Sequence, residues 1–595
     1  MLHIHTNVLS IDDLKQFRQY GSKTAGHPEH HLVPAIDVTT GPLGQGISNA
    51  VGLSVASHYL AARFNKPDIQ IFTNKVWCIA SDGDMMEGVQ AEAASFAGHQ
   101  KLDNLIVFWD NNKVTIDGHT DIAFTENVPM RYRAYGWHTI SVKNADTDFK
   151  GIESAIIEAL QVKDKPVLIE LNTTIGFGSD VADTPKVHGT PLNKEQLANI
   201  KKKFGFNPDE FFTVPQAVYD HYAKVRARTH KKVEEWNTKY AQYASKYPED
   251  YKVLQSIING NFTLEEFQKF MPKVNEKNVG TRVTSGLVLN VLAKNLPGLI
   301  GGSADLTPSN NTALDGEKTF KPGVRDGRYI EFGIREHGMQ AIANGIQYYG
   351  FKGLVPFTAT FFVFFQYLLP SIRVAALESL REIIILTHDS IGVGEDGPTH
   401  QPVESLAMLR ALPNINVFRP ADQLEVSACY TAGLTGPSRP SIFVLSRQNA
   451  PPLEGSSFEG ALKGGYVVKK VENPKLVIVG TGTEVNLALK TAELLPFPVQ
   501  VVSLPCMEIY NTQSKEYKRS VFPKDVPVLS VEAACSFGWE RYSHKHVGVD
   551  TFGLSAPANK VYEHFGLVPE KVAEKAKQLV DFYSKYPVPE LVERI

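Results

Sequence analysis

Cysteine is scarce: the 595 residues include 4, Cys78, Cys429, Cys506 and Cys535, far apart and without a CxxC pair. That excludes a disulfide-stapled framework and a zinc knuckle, and their mostly apolar neighbours suit buried, reduced thiols. Long hydrophobic runs are missing too. The longest aromatic-rich apolar stretch, FFVFFQYLLP from Phe361 to Pro370, is about half of what a bilayer-spanning helix requires, so no membrane partner is expected. Neither sign of charge dominates, with 61 Lys+Arg against 64 Asp+Glu. A chain without a concentrated basic surface has no means of binding nucleic acid by counterion release. The opening residues MLHIHTNVLSIDDLK show no basic region followed by an apolar stretch of signal-peptide length, which makes the cytoplasm the expected location. No short-period repeat is visible. What remains is ordinary globular composition, 43% hydrophobic and 21% charged, in a length that implies several domains.

Ser10, with Asp13 three positions on and Gly21 beyond, predicts a short first helix. GHPE follows at 26–29, then TTGPLGQG at 39–46, whose breakers Gly41, Pro42, Gly44 and Gly46 mark a tight loop ahead of an Ala/Val-rich helical stretch reaching about Arg63. Backbone N–H groups in such a loop can approach a ligand, and the following helix N-terminus favours anions. Buried strands are predicted at 76–80, 104–110 and 166–176, with helices over about 85–100 and 149–160: a βαβ pattern and hence a parallel sheet. Residues 201–270 are rich in Lys, Glu and Tyr with helical spacing and read as a connecting segment. Strands return at 296–303, 381–390, 415–420 and 441–448, with helices over 336–348 and 364–376, and a third set begins near Gly465 with 475–485, 499–505 and 527–533. The expected fold is α/β, three consecutive α/β domains with mostly parallel sheets. Its boundaries are 1–240, a linker at 241–275, then 276–455 and 456–595.

Asp82, in Ser81-Asp82-Gly83, and Asn112, in Asp110-Asn111-Asn112, each follow a predicted strand and are separated by one helix. In a parallel sheet both reach the carboxyl edge of neighbouring strands, where open α/β folds bind ligands. A carboxylate, an amide oxygen and a nearby carbonyl such as that of Val114 make a hard oxygen face for Mg²⁺ or Ca²⁺, which completes its shell with phosphate oxygens and water.

That pairing is the diphosphate signature of thiamine-diphosphate enzymes, and GHPE, VTTGPLGQG, DGDMMEG, DNNKVTIDG, TTIGFGS, VHGTPL, GGSADLTPSN, GIREHGM, THDSIGVGEDGPTHQP, RPAD and SRQN stand in the order of the transketolase blocks. The chain resembles transketolases over essentially its whole length. The resemblance implies a thiamine-diphosphate-binding fold with a diphosphate and metal domain, a pyrimidine domain and a C-terminal domain. It implies thiamine diphosphate with Mg²⁺ (or Ca²⁺) held by Asp82, Asn112 and Val114, and cofactor contacts from Gly41, Leu43, Gly83 and Glu87. Glu336 in GIREHGM matches the carboxylate against the pyrimidine, which helps the cofactor lose a proton and needs a dry site. Phe361, Phe364 and Tyr367, at i, i+3 and i+6, match the aromatic wall around that ring. Glu87 and Glu92 match carboxylates at a subunit contact, since family cofactors lie between two subunits of a homodimer. Arg282, Ser309, His388 and Arg447 match a grip on a sugar phosphate, Asp396 a reader of a substrate hydroxyl, and His27, His188 and His400 imidazoles lining the site. Glu336, His188 and His400 form the implied catalytic set. The implied reaction moves a two-carbon ketol unit from a ketose phosphate to an aldose phosphate of the pentose phosphate pathway.

The chain departs from the family at its start. Transketolases carry several dozen more N-terminal residues with SGHPG and SNGH blocks, absent here, so MLHIHTNVLS looks like a join within a domain: either the start is an internal Met of a longer protein of ordinary activity, or the protein is natively short with an incomplete first domain. Two lesser departures, Ala25 before GHPE and Phe-Thr-Ala before Thr360, remove no functional group. The missing histidines motivate a rival expectation, an impaired paralogue acting as a binding subunit; a dihydroxyacetone synthase ranks lower.

Overall fold

Parallel strands covered on both faces should read as unbroken apolar runs, and most strands here do. The computed structural model describes residues 8–591, so MLHIHTN, on which most of the join reading rests, lies outside the described residues. The chain divides into two compact units: one takes the chain up to Gln255 together with Phe320–Gly327 and His337–Phe351, and the other takes the rest.

The first unit is built on four parallel strands, β1 (Val76–Ser81), β2 (Leu105–Asn111), β3 (His138–Val142) and β4 (Val167–Asn172), ordered β1-β2-β4-β3. β3 was not foreseen. β1 does not meet the expectation of a buried strand: it is an edge, with Trp77 44% and Ile79 79% exposed. Cys78 on it is correspondingly only half-buried, as is Cys535; Cys429 and Cys506 are buried, and all four are free thiols. The first predicted helix is a single capped turn, Ile11–Lys15, with the Ser10/Asp13 capping box in place. The helix Gln45–Phe64 packs backbone to backbone on the helix Glu336–Gln347, whose residues from His337 onward belong to this unit. A Cβ on Gly52 would lie 2.0 Å from the Ile342 carbonyl oxygen, and one on Gly345 2.1 Å from that of Asn49, so only glycine permits the approach. Asn49 seals the crossing by donating to the Ala341 carbonyl at 2.9 Å.

The second unit holds two larger sheets. The first has order β10-β11-β9-β8-β6-β7 and is parallel throughout: β6 (Leu299–Ser303), β7 (Tyr329–Glu331), β8 (Val355–Phe361), β9 (Ile383–Thr387), β10 (Asn416–Phe418) and β11 (Ser441–Leu445). A short antiparallel pair, β5 (Val279–Gly280) with β12 (Asn449–Ala450), lies beside it in the chain. Every residue of β9 and β11 is buried, and each such Ile, Leu, Val or Phe contributes roughly 1.5–3 kcal/mol by leaving water. The second sheet comprises β13 (Tyr466–Lys469), β14 (Leu476–Gly480), β15 (Val499–Ser503), β16 (Val528–Val531) and β17 (Lys545–Val547), ordered β13-β15-β14-β16-β17 and parallel except at β13. The fold class is therefore α/β with mostly parallel sheets. Helices Gln216–Lys246, Pro248–Asn259 and Leu264–Phe270 make up most of the connecting stretch, as its spacing predicts.

Candidate active site

In the first unit the ends of β1 and β2 bring Asp82 and Asn112 together. Asp82 opens a one-turn helix, Asp82–Met86, with Ser81 as N-cap; Glu87 then turns extended before a second helix, Gly88–His99. The single helix expected over 85–100 is thus two, because Glu87 in extended backbone ends the first helix and caps the start of the second. The Asp82 carboxylate is 3% exposed and accepts the Trp109 indole N–H at 3.1 Å and the Lys113 backbone N–H at 2.7 Å. Lys113 has φ +60, a conformation that a non-glycine residue holds only at a cost. Burial pushes the Asp82 carboxyl up from its usual range; a bound cation would act in the opposite sense. The Asn112 side-chain oxygen accepts the Val114 N–H at 3.0 Å. The Val114–His119 bridge is closed by Thr115 to Gly118 and Thr120 to Lys113, so the ladder leaves the carbonyl of buried Val114 unused. One carboxylate with an amide and a backbone oxygen fits a hard divalent ion. Among the described residues no cluster of three His, Cys, Asp or Glu side chains offers another metal site.

The glycine loop is pinned to this corner. Gly44, at φ +78, donates its N–H to Asp84 Oδ1 at 2.7 Å, and Asp84 also takes the Ser81 N–H at 2.7 Å. Leu43 lies on Gly83, where a Cβ would come within 2.7 Å, and the His27 ring lies 3.3 Å from where a Cβ on Gly41 would sit. Asp84 was not singled out by the sequence reading. Glu87 is exposed; Glu92 accepts the Gly338 N–H at 2.7 Å. His188 stands exposed just after the turn Pro185–Val187, and among the described residues no hydrogen bond or ring contact joins it to another candidate.

In the second unit four adjacent strands deliver side chains to one carboxyl edge: Phe361 ends β8, His388 follows β9, Arg447 follows β11, and Ser309 lies in the turn Thr307–Asn310 after β6. Thr281 and Arg282, opening the helix Thr281–Asn295, are tied to Ser446 beside Arg447, with Thr281 N–H to Ser446 Oγ at 3.0 Å. Arg282 donates to the Ser309 carbonyl, while its buried Nε–H has no partner among the described residues. Burial and then the charge of Arg447 pull the Arg282 guanidinium below its usual range. A partnerless buried guanidinium N–H beside a second cation fits an anion.

His388 is 4% exposed and held at φ +65, its ring 3.8 Å from that of Phe361. Burial, then Arg282, Arg447 and His400, lower it to about 3, so the imidazole is neutral. Its tautomer follows from a chain of hydrogen bonds. Ser303 donates to the Ala359 carbonyl at 3.1 Å, Asn310 Nδ2 to Ser303 at 2.8 Å, and Thr387 Oγ1 to Asn310 Oδ1 at 2.7 Å. The Thr387 proton being spent, His388 Nδ1 donates to Thr387 Oγ1 at 2.8 Å, which leaves Nε2 as an acceptor.

The aromatic set is not one helical stripe. Phe361 is a strand end, Phe364 closes the 3₁₀ turn Phe362–Phe364, and Tyr367, 63% exposed, lies in the helix Phe365–Leu377. The three rings still form a row, Phe361 to Phe364 at 6.0 Å and Phe364 to Tyr367 at 6.2 Å, with His400 edge-on to Phe364 at 5.5 Å. Glu336 is half-buried, and that burial pushes its carboxyl up. Asp396 is exposed on the loop that reaches His400.

Three family models match the chain: the transketolase thiamine diphosphate binding domain over residues 1–263, the transketolase pyrimidine binding domain over 277–452, and the transketolase-like C-terminal domain over 464–568. A probable transketolase of Schizosaccharomyces pombe is 48% identical over 600 residues, covering 99% of this chain and 87% of that protein. This chain belongs to the transketolase family. A chloroplastic transketolase of Solanum tuberosum is 47% identical, covering 96% of this chain and 78% of that protein. Among solved structures, the transketolase of Pichia stipitis in complex with sedoheptulose 7-phosphate superposes with a TM-score of 0.95 at 46% identity, covering 98% of this chain and 88% of that one. The transketolase of Leishmania mexicana gives a TM-score of 0.97 at 44% identity, covering 99% and 88%. The chain is accordingly a thiamine-diphosphate-dependent transferase that moves a two-carbon ketol unit between sugars. No helix among the described residues is long and apolar enough to cross a membrane.

Proposed function

We propose that this transketolase takes its ketol unit from a ketose phosphate such as xylulose 5-phosphate and passes it to an aldose phosphate such as ribose 5-phosphate or erythrose 4-phosphate, in the pentose phosphate pathway. The observation that carries the phosphate specificity is the buried N–H of Arg282, without a partner among the described residues, beside Arg447, Ser309 and His388 at one sheet edge. Asp396, His27, His188 and His400 meet the sugar hydroxyls and carbonyl, where an imidazole can accept and return a proton near neutral pH. Thiamine diphosphate, when bound, supplies the electron sink for breaking the bond next to the ketose carbonyl. Glu336 holds a proton at the pyrimidine, and Phe361, Phe364 and Tyr367 keep water from it. Gly41, Leu43, Gly83 and Glu87 bound the cofactor's diphosphate end. Asp82, Asn112 and the Val114 carbonyl are the proposed ligands of Mg²⁺ or Ca²⁺. The active form is a homodimer with its cofactors at the interface, where Glu87 and Glu92 stand, and it works in the cytoplasm. The domains run 1–240, 276–455 and 456–595, with a linker at 241–275.

The test is ketol transfer from xylulose 5-phosphate to ribose 5-phosphate by the 595-residue chain with Mg²⁺ and thiamine diphosphate. Turnover that Glu336→Ala abolishes, with cofactor binding retained in calorimetry, is the expected result. Full turnover in that variant overturns the assignment of Glu336, and equal rates with unphosphorylated xylulose overturn the phosphate grip.

A further inference from the structure

A charge cluster in the second unit has no part in the chemistry so far. Arg419, 1% exposed, grips Asp389 Oδ2 through Nε at 3.1 Å and Nη2 at 2.7 Å. Its Nη1 donates to Glu484 and to the carbonyl and hydroxyl of Thr481, at 3.0 and 2.9 Å. Thr481 donates in turn to Glu532, which Arg410 holds in a fork with both contacts at 2.8 Å. The other oxygen of Asp389 accepts from Ser390 Oγ at 3.1 Å and Gln448 Nε2 at 3.2 Å. Asp389, Glu484 and Glu532 are as buried as Arg419.

Removing four charges from water, with half-buried Arg410 beside them, is expensive, and such clusters rarely exceed an apolar core in net stability, so stability does not account for this one. Its position does. Asp389 directly follows His388, whose left-handed backbone persists only where the surroundings over-determine it. On one side Thr387 fixes the ring through Nδ1; on the other, four donors on Asp389 fix the chain.

We propose that Arg419 is a positioning residue for substrate phosphate: by holding Asp389 it locks His388 in the left-handed conformation that presents Nε2 beside Arg282 and Arg447. Through Thr481, Glu484 and Glu532 the sheet β13–β17 thereby takes part in phosphate recognition without touching substrate. The proposal rests on the reading of His388 as a phosphate contact.

The test compares xylulose 5-phosphate with unphosphorylated xylulose as donor, ribose serving as acceptor for both, in the cofactor-loaded enzyme. Arg419→Lys and Asp389→Asn are expected to raise KM for the phosphorylated donor about tenfold, with kcat within about twofold and KM for xylulose unchanged, since a misplaced contact costs binding only where the contact is made. His388→Asn should raise KM for the phosphorylated donor more than for xylulose. A rise with His388→Asn but none with the other two overturns the clamp. Equal rises for both donors overturn it as well and mark the cluster as merely structural. No selective rise with His388→Asn overturns the underlying phosphate reading instead. If the charge variants do not fold, Ser390→Ala combined with Gln448→Leu strips Asp389 Oδ1 of both donors, and the absence of a selective rise there refutes the proposal.

Discussion

His388 makes the second unit sensitive to acid in a predictable sense. Its folded value of about 3 lies below the ordinary 6.5, chiefly because burial penalises the imidazolium and next because Arg282 and Arg447 repel it. The depressed value means that, below pH 6.5, the unfolded chain takes up a proton that the folded chain refuses. The stability is fully present above 6.5 and is lost as pH falls from there toward 3. Each pH unit in that window costs about 1.4 kcal/mol, hence about 2 kcal/mol at pH 5. The perturbation is His388→Asn, which keeps a polar group of similar reach and tolerates φ +65 better than histidine does. Urea unfolding of parent and variant at pH 7.5 and pH 5 reads the effect. Other titrating groups are common to both proteins and cancel, so the parent should lose about 2 kcal/mol more than the variant between the two pH values. Identical losses would mean that the imidazole is solvated or charged in the folded protein, and the hydrogen-bond chain through Thr387, Asn310 and Ser303 would be misassigned.

The same chain leaves Nε2 as an acceptor, so contact with a phosphate ester that is mostly dianionic at pH 7.5 requires one more proton, on the ring or on the phosphate. Calorimetry of xylulose 5-phosphate binding in two buffers of different ionisation enthalpy should therefore show uptake of about one proton, absent in His388→Asn; buffer-independent enthalpies would refute it. In the first unit, Gly44→Ala sets a side chain at φ +78 with its Cβ 2.6 Å from Val89 Cγ1. The loop must then give up its bond to Asp84, and thiamine diphosphate affinity should fall by about tenfold or more while the melting temperature of the apo protein moves by only a few degrees. Unchanged affinity would remove the loop from the cofactor site.

Why some elements were legible and others not follows from where they lie. REIIILTHDS and SIFVLSRQ announce β9 and β11 because interior parallel strands are apolar on both faces. HTISV at β3 stayed hidden because an edge strand with half-exposed His, Thr and Ile and an exposed Ser carries little apolar signal. β7, β13 and β17 are three- or four-residue edge strands with the same handicap. β8 stayed hidden for a different reason: VPFTATF is buried in all but Phe361, yet Pro356, Thr358 and Thr360 interrupt its apolar run, while the helix expected over 364–376 is found at Phe365–Leu377.

The site shows the same division between local and tertiary information. Asp82, Asn112, His388 and Arg447 could be named because each stands just past a strand in a motif whose order survives in the chain. Asp84 sits inside such a motif yet has no sequence signal of its own, since its partner Gly44 is 40 residues away. Arg419 is further removed: Asp389 lies 30 positions before it and Glu484 65 after it, and each alone reads as a strand-end polar residue or a helix-start acid. Only the closing of two sheets on one guanidinium turns them into a clamp. A residue that acts through another leaves its trace in burial and in a partner's strained backbone, here the φ of His388, rather than in any motif. By that reasoning the effect of Arg419→Lys should pass through residue 388. A crystal structure of the variant is therefore expected to show His388 out of the left-handed region, and a ring still held beside Phe361 with φ near +65 would separate the cluster from the site.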